Sequence, residues 1–224
     1  MPQSKKAAEG RAANREKRRQ QLIDATIDSI SRVGFSGTTL ERVTKGAKLS
    51  HGVVNFYFDS KEELYVQTLG YLAREHYEGW YGSMLQAGPK PADQLLAIIA
   101  ADFDRTIASP KKLAVWYAFW GQAKYRPNYL KTHSSFDEER YAEILRLCAE
   151  ITAEGDYPHG DVESIARGVE ALVDGLWLSL LLYPKWSDRD RARGDVLTFL
   201  ALAFPKHFEA PARPQQTLEE TSGS

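Results

Sequence analysis

An all-α fold is what this sequence predicts, and three observations predict it. Apolar residues recur at helical spacing through most of the 224 residues, as in Leu22, Thr26, Ile30 and Val33 at i, i+4, i+8 and i+11. No stretch alternates apolar and polar with period two for long enough to demand a strand. The steps Gly88-Pro89, Ser109-Pro110, Arg126-Pro127, Tyr157-Pro158 and the lone Pro184 punctuate the helical pattern.

Each element follows from local chemistry. Residues 1–16 are rich in Ala, Lys, Arg, Gln and Glu without an apolar stripe, and read as a flexible basic arm. Helical spacing begins near Lys17 and stops at Gly34, a candidate C-cap. Thr38 or Thr39 can cap a second, brief helix with Glu41 and Arg42 in its first turn and Leu40, Val43 and Ala47 facing inward. A turn at Lys48-Leu49 follows, and Ser50 caps a third short helix. Asp59 or Ser60 caps the fourth, where Ser60-Lys61-Glu62-Glu63 forms a capping box ahead of Leu64, Leu69 and Leu72. Residues 162–183 carry the stripe Ile165, Val169, Leu172, Leu176 and Leu180; residues 191–208 carry Val196, Leu197, Leu200 and Phe204. The tail beyond Pro211 has the composition of a disordered segment. The expected division is therefore an arm over 1–16, a small helical domain over 17–62, a larger one over 63–209, and a tail over 210–224.

Composition narrows the function. At 43% hydrophobic residues the chain can build a core. Its single cysteine, Cys148, excludes an intrachain disulfide and fits a reducing cytosol, so a cytoplasmic location is expected. No apolar segment follows the basic N-terminus as in a secretory signal, and apolar runs such as Leu176–Tyr183 are too short to span a bilayer. The net charge of −1 hides an asymmetry: residues 1–61 hold 12 Lys+Arg against 6 Asp+Glu, and the rest hold 17 against 24. That asymmetry suits a polyanion partner for the first quarter, or a merely solvated basic end. Catalysis finds little support. The histidines at 51, 76, 133, 159 and 207 are scattered without metal-ligand or acid–base spacing, and Cys148 has no histidine near it in sequence. No cofactor and no metal are expected.

The stretch KLSHGVVNFYFDSKEEL, residues 48–64, concentrates the chemistry. Two short helices around a tight turn, behind a longer helix, make a helix-turn-helix, whose second helix enters the major groove of double-stranded DNA. Ser50 and His51 lie at that helix's N-terminus, which itself favours an anion. Gly52 lets the backbone approach phosphate. Asn55 can bond adenine or phosphate. Phe58 reads as core, and Phe56 as either core or a thymine-methyl contact.

The longer segment TTLERVTKGAKLSHGVVNFYFDSKEEL resembles the DNA-binding signature of the TetR family of bacterial regulators. Thr39, Leu40, Val43, Thr44, Ala47, Ser50, Gly52, Val54, Tyr57, Phe58, Lys61 and Leu64 fill matching positions at fixed spacing. Lys48 departs from the pattern, standing where the family usually has Gly, at a cost of about 1 kcal/mol for a left-handed backbone. The resemblance implies that Thr38 and Thr39 hold phosphates. It implies that Lys48, Ser50, His51, Gly52, Val53, Asn55 and Phe56 present the DNA-facing surface. Tyr57 and Lys61 would bond phosphates, with Arg15, Arg18 and Arg19 as looser candidates for phosphate or minor groove. It also implies a homodimer formed through the last two helices. A palindromic operator, which needs two copies, favours the same.

Within 63–209, LAVWYAFWGQAKYRPNYLKTHSSFDEERY and EALVDGLWLSLL resemble the effector domain of BetI-type repressors, which control choline-to-glycine-betaine genes and respond to choline. Ala118-Phe119-Trp120, Pro127 with Tyr129, and Asp174 to Trp177 carry the match. The residues themselves fit a small-molecule cation. Trp116 and Trp120 share a helix face, Phe119 lies beside them, and Tyr125 and Trp177 could complete an aromatic box, with Asp174 as counter-charge. Core tryptophans show the same spacing, and Asp174 could instead bond a helix cap or Arg167. A repressor of catabolic, lipid or efflux genes answering a different small molecule is the alternative within the family.

Overall fold

The computed structural model describes residues 2–157 and 161–211, without the side chains of residues 2–9, 11, 51, 130 and 133–135. His159 and the expected tail from residue 212 onward lie outside the described residues. Helices and their connections make up the described chain, with no strand.

Helix α1 runs Pro2–Gly37. The segment expected as a flexible arm is thus helical. Ala, Lys, Arg, Gln and Glu are strong helix formers, and they extend the helix without needing a buried face. Gly34, expected to end the helix, bends it instead: its φ of +67° is left-handed, and a further turn follows. Helix α2 spans Leu40–Gly46, and Thr39 caps it by accepting from Arg42 N–H at 3.2 Å. Lys48 adopts φ +56°, the left-handed turn expected of it, while Leu49 N–H returns to the Thr44 carbonyl at 2.9 Å. A 3-10 turn over His51–Val53 leads into α3, Val54–Tyr57. Leu22, Ile23, Ile27 and Ile30 of α1, with Val43, Val54 and Phe58, form the small domain's core.

Helix α4, Lys61–Gln86, starts from Ser60. Ser60 Oγ accepts from Glu63 N–H at 3.0 Å, and the Glu63 carboxylate accepts from Asp59 N–H at 2.6 Å. The helix crosses residues 62 and 63 without a break, packing Leu64 and Leu69 near the helix-turn-helix and Trp80 and Met84 far from it. The remaining helices are α5 (Pro91–Asp102), α6 (Pro110–Ala123), α7 (Pro127–Gly155), α8 (Val162–Leu182) and α9 (Arg189–Ala203). Helix α4 packs on α5 and α7, α6 on α1, and α8 on α7 and α9. Cys148 of α7 is fully buried, and burial pushes its thiol pKa up to about 12.

On α8 the buried side chains are Ala166, Val169, Val173, Trp177 and Leu180. Ile165, Leu172 and Leu176 of the expected stripe are only half-buried, because the inward face is rotated from it by one residue. Leu178, Leu182, Tyr183 and Trp186 are exposed, and Leu202 of α9 is 80% exposed.

One buried charge cluster ties four helices together. Asp102, at the end of α5, is fully buried. Its carboxylate meets Arg140 Nη2 of α7 at 2.5 Å and His76 Nε2 of α4 at 2.8 Å, while its carbonyl accepts from the Trp177 indole of α8 at 3.0 Å. Burial alone would raise the Asp102 pKa; the Arg140 guanidinium and His76 outweigh it and hold the carboxyl below the ordinary carboxylate range. Arg140 also pairs with Glu170. Burial lifts Glu170 to about 7, opposed by Arg140 and reinforced by Asp102, Asp174 and Asp137.

Asp102→Ala leaves the buried Arg140 charge with Glu170 as its remaining carboxylate and should lower the unfolding free energy by about 3 kcal/mol. Urea unfolding at neutral pH measures this; a loss under about 1 kcal/mol would show the pair to be dispensable. Glu170 has a higher pKa folded than unfolded. Its stabilising contribution is therefore complete below the ordinary value of 4.5 and lost as pH rises through about 7. Glu170→Gln should flatten that decline, and an unchanged pH profile of urea midpoints would contradict it.

Candidate functional site

Two separate surfaces gather the residues singled out in the sequence. The first surrounds α3. Ser50, Gly52, Asn55 and Phe56 are exposed, with Phe56 at 69%, and Val53 and Tyr57 are half-buried. A side chain at Gly52 would meet nothing within 4 Å, so this backbone lies open to an approaching group. The backbone of His51 opens the 3-10 turn; its side chain lies outside the described residues. The Phe56 ring stands edge-on to Tyr57 at 5.2 Å, and the Arg15 guanidinium sits 5.6 Å from its centroid. Phe56 is therefore not core, and it joins the basic end of α1 to the exposed face of α3. Phe58 is 1% exposed and is core. Lys48 and Thr39 are exposed beside this face, and Lys61 is half-buried with its ammonium 5.3 Å from the Tyr65 ring.

One expected contact is placed differently, and two arginines have partners within the protein. Thr38 is fully buried. Its hydroxyl bonds the Gly34 carbonyl at 2.8 Å and Ser29 Oγ at 2.9 Å, so it braces the α1 kink and does not face phosphate. Arg19 reaches Gln67 at 2.5 Å and lies 5.8 Å from the Phe58 ring, clamping α1 to α4. Arg18 donates to Gln21 at 3.0 Å on its own helix and is half-buried.

The second surface is a cavity of about 300 Å³ between α4, α6, α7 and α8, lined by Leu69, Phe119, Trp120, Ala123, Tyr129, Asp137 and Asp174. Phe119, Trp120 and Asp174 of the expected box are brought together here. Trp116 is buried behind Trp120, ring centroids 6.2 Å apart. Tyr125 does not join them: it is 74% exposed in the turn after α6. Trp177 does not line the cavity either. It lies on the inward stripe of α8, where its indole bonds Asp102 and its ring lies 5.3 Å from His76. Asp174 is exposed at the cavity rim rather than buried, three residues from Trp177 and on another side of the helix. Its backbone carbonyl accepts from the Tyr117 hydroxyl at 2.6 Å.

The residues absent from the sequence-based set are Leu69, Ala123, Tyr129 and Asp137. A signal existed for two of them. Tyr129 and Asp137 are i and i+8 on α7, so they share a face, and Tyr129 is one of the residues that carry the resemblance. Leu69 is indistinguishable in sequence from the leucines of the core. The cavity presents three aromatic rings and two carboxylates, a combination that attracts a cation through ring quadrupoles and charge. Among the described residues no cluster of His, Cys, Asp or Glu could hold a metal ion, and no helix is long and apolar enough to cross a membrane.

Comparison with known proteins finds relatives for both parts of the chain. Residues 22–68 match the family described as bacterial regulatory proteins, tetR family, and residues 91–205 match the BetI-type transcriptional repressor C-terminal family. The HTH-type transcriptional regulator BetI of Burkholderia thailandensis is 37% identical over 164 residues, covering 73% of this chain and 82% of that one. BetI of Burkholderia lata is 38% identical over the same share. A candidate transcriptional regulator of Pseudomonas aeruginosa PAO1 superposes with a TM-score of 0.74 at 25% identity, covering 86% of this chain and 94% of that one. A candidate regulator of Saccharomonospora viridis, solved in complex with choline, shares the fold at a TM-score of 0.73 and 16% identity, over 83% and 96% of the two chains. A helix-turn-helix at one end, a cavity domain at the other and relatives matched across both leave one assignment: the chain is a DNA-binding transcriptional repressor, not an enzyme, and belongs to the TetR family with the C-terminal domain of its BetI-type members.

Proposed function

We propose that this repressor is a cytoplasmic homodimer that binds a palindromic operator and answers a quaternary-ammonium effector, choline or a close analogue, held in the α4–α6–α7–α8 cavity. The observation that carries the reading is the cavity lining: Phe119, Trp120 and Tyr129 with Asp137 and Asp174. Cation–π attraction contributes about 0.5–2 kcal/mol per well-placed ring, and the carboxylates supply charge that an apolar pocket lacks. A fold neighbour solved with choline supports the same ligand class, and the BetI-type resemblance would add control of choline-to-glycine-betaine genes.

The exposed apolar side chains on α8, α9 and their connection (Leu178, Leu182, Tyr183, Trp186 and Leu202) support pairing through the last two helices. Such a dimer would hold its two α3 helices about 34 Å apart, one turn of DNA. In this reading residues 17–62 act as the DNA-binding unit and 63–209 as the effector and dimerisation unit. At the operator, Ser50, His51, Gly52, Val53, Asn55 and Phe56 face the groove, while Thr39, Lys48, Tyr57 and Lys61 hold phosphates.

Fluorescence anisotropy on the chain's own upstream DNA, with and without choline, tests the whole reading. Choline should change operator affinity; binding that choline leaves unaltered would move the effector to another chemical class. Tyr57→Phe removes one phosphate donor and should weaken operator binding about tenfold; unchanged affinity would remove Tyr57 from the interface. Trp120→Ala should weaken choline binding in calorimetry about tenfold while sparing operator affinity without ligand. Choline affinity equal to the wild type would place the ligand elsewhere.

A further inference from the structure

The cavity and the helix-turn-helix share one aromatic wall. Phe119 and Tyr129 line the cavity, and Phe35, at the end of α1, packs against both, with ring centroids at 4.9 Å and 6.0 Å. Phe35 also meets Tyr65 of α4 edge-on at 4.8 Å, and Tyr65 donates to the Thr38 carbonyl at 3.3 Å, just ahead of α2. The left-handed Gly34 sends the chain into this position.

A polar contact runs beside the aromatic one. The buried Tyr129 donates its hydroxyl to Glu62 Oε2 at 3.2 Å, and Arg126 pairs with the same carboxylate oxygen. Burial first, and then the Glu62 charge, raise the Tyr129 phenol well above its ordinary value, so the hydroxyl is a donor at neutral pH. Glu62 is the second residue of α4, four residues beyond the core anchor Phe58 and five beyond the last residue of α3. Tyr129 therefore touches the cavity with its ring and the root of the DNA-binding unit with its hydroxyl.

We propose that Tyr129 is the positioning residue that couples cavity occupancy to α3: an occupant that displaces its ring draws the hydroxyl from Glu62 and shifts Phe35, loosening the start of α4 and the helix before it. The proposal rests on the cavity being the effector site. A hydrogen bond supplies the response because it weakens steeply with angle, whereas ring packing tolerates small shifts. Occupancy then biases two arrangements of one connected element, which is what linkage between the sites requires.

The test needs neither operator nor effector. Ala123→Leu places bulk in the cavity from its own wall, and Tyr129→Phe removes the hydroxyl while keeping the ring. Hydrogen exchange by mass spectrometry on full-length protein reads residues 53–65 in the wild type, each single variant and the double variant. Ala123→Leu should speed exchange there about tenfold. Tyr129→Phe should do the same, and the double variant should match the singles, with α8 and α9 unchanged in all. Equal acceleration by Ala123→Leu on both backgrounds, or none on either, would overturn the relay. Circular dichroism checks folding, and Ala123→Val replaces Ala123→Leu if the larger side chain unfolds the protein. Calorimetry with choline on the wild type is read separately. Absent choline binding removes the effector reading while the exchange result stands by itself.

Discussion

The architecture depends on α4 being one unbroken helix. At 26 residues it is about 39 Å long, and it packs on α1 as well as on α5, α6 and α7. Its first turns bury Leu64 and Leu69, and its last bury Trp80 and Met84, so neither domain has a complete core without it. The Ser60–Glu63 cap fixes where the rod begins. A frayed start would free the turn that carries α3, because only Phe58, Asp59 and Ser60 separate the two helices.

A second constraint keeps the other helices in register with that rod. Asp102 draws side chains from α4, α7 and α8 to one point where water does not reach. Such a cluster specifies geometry more strictly than apolar packing, since a slipped helix would leave an unpaired charge in the core. The apolar layers around it, with Trp80, Ile98, Leu147 and Val169, supply most of the burial, and the charge cluster selects among the ways they could pack.

Much of this was legible in the sequence, and the failures share a cause. Caps, kinks and turns are local, so Thr39, Lys48 and Ser60 behave as their chemistry dictates. Phe58 was identifiable as core by its place in a dense motif. Which face a side chain presents is a tertiary matter. Trp177 and Asp174 are three residues apart, yet the rotation of α8 against its neighbours sends the first inward and leaves the second at the cavity. Thr38 and Thr39 are adjacent and chemically alike, but the bend at Gly34 buries one and exposes the other. Tyr125 follows the aromatic segment in sequence and leaves it in space because α6 ends at Ala123. The basic segment before Lys17 shows the opposite error: propensity without a stripe was enough to extend α1 to Pro2.

The burial of Cys148 has a consequence for chemistry at the surface. Burial pushes its thiol pKa up to about 12, so little thiolate forms at neutral pH, and the residue is fully buried. The only cysteine in the chain is therefore inert to oxidants and alkylating reagents while the protein is folded. A cysteine introduced on α3 or α9 could be labelled selectively without removing the native one.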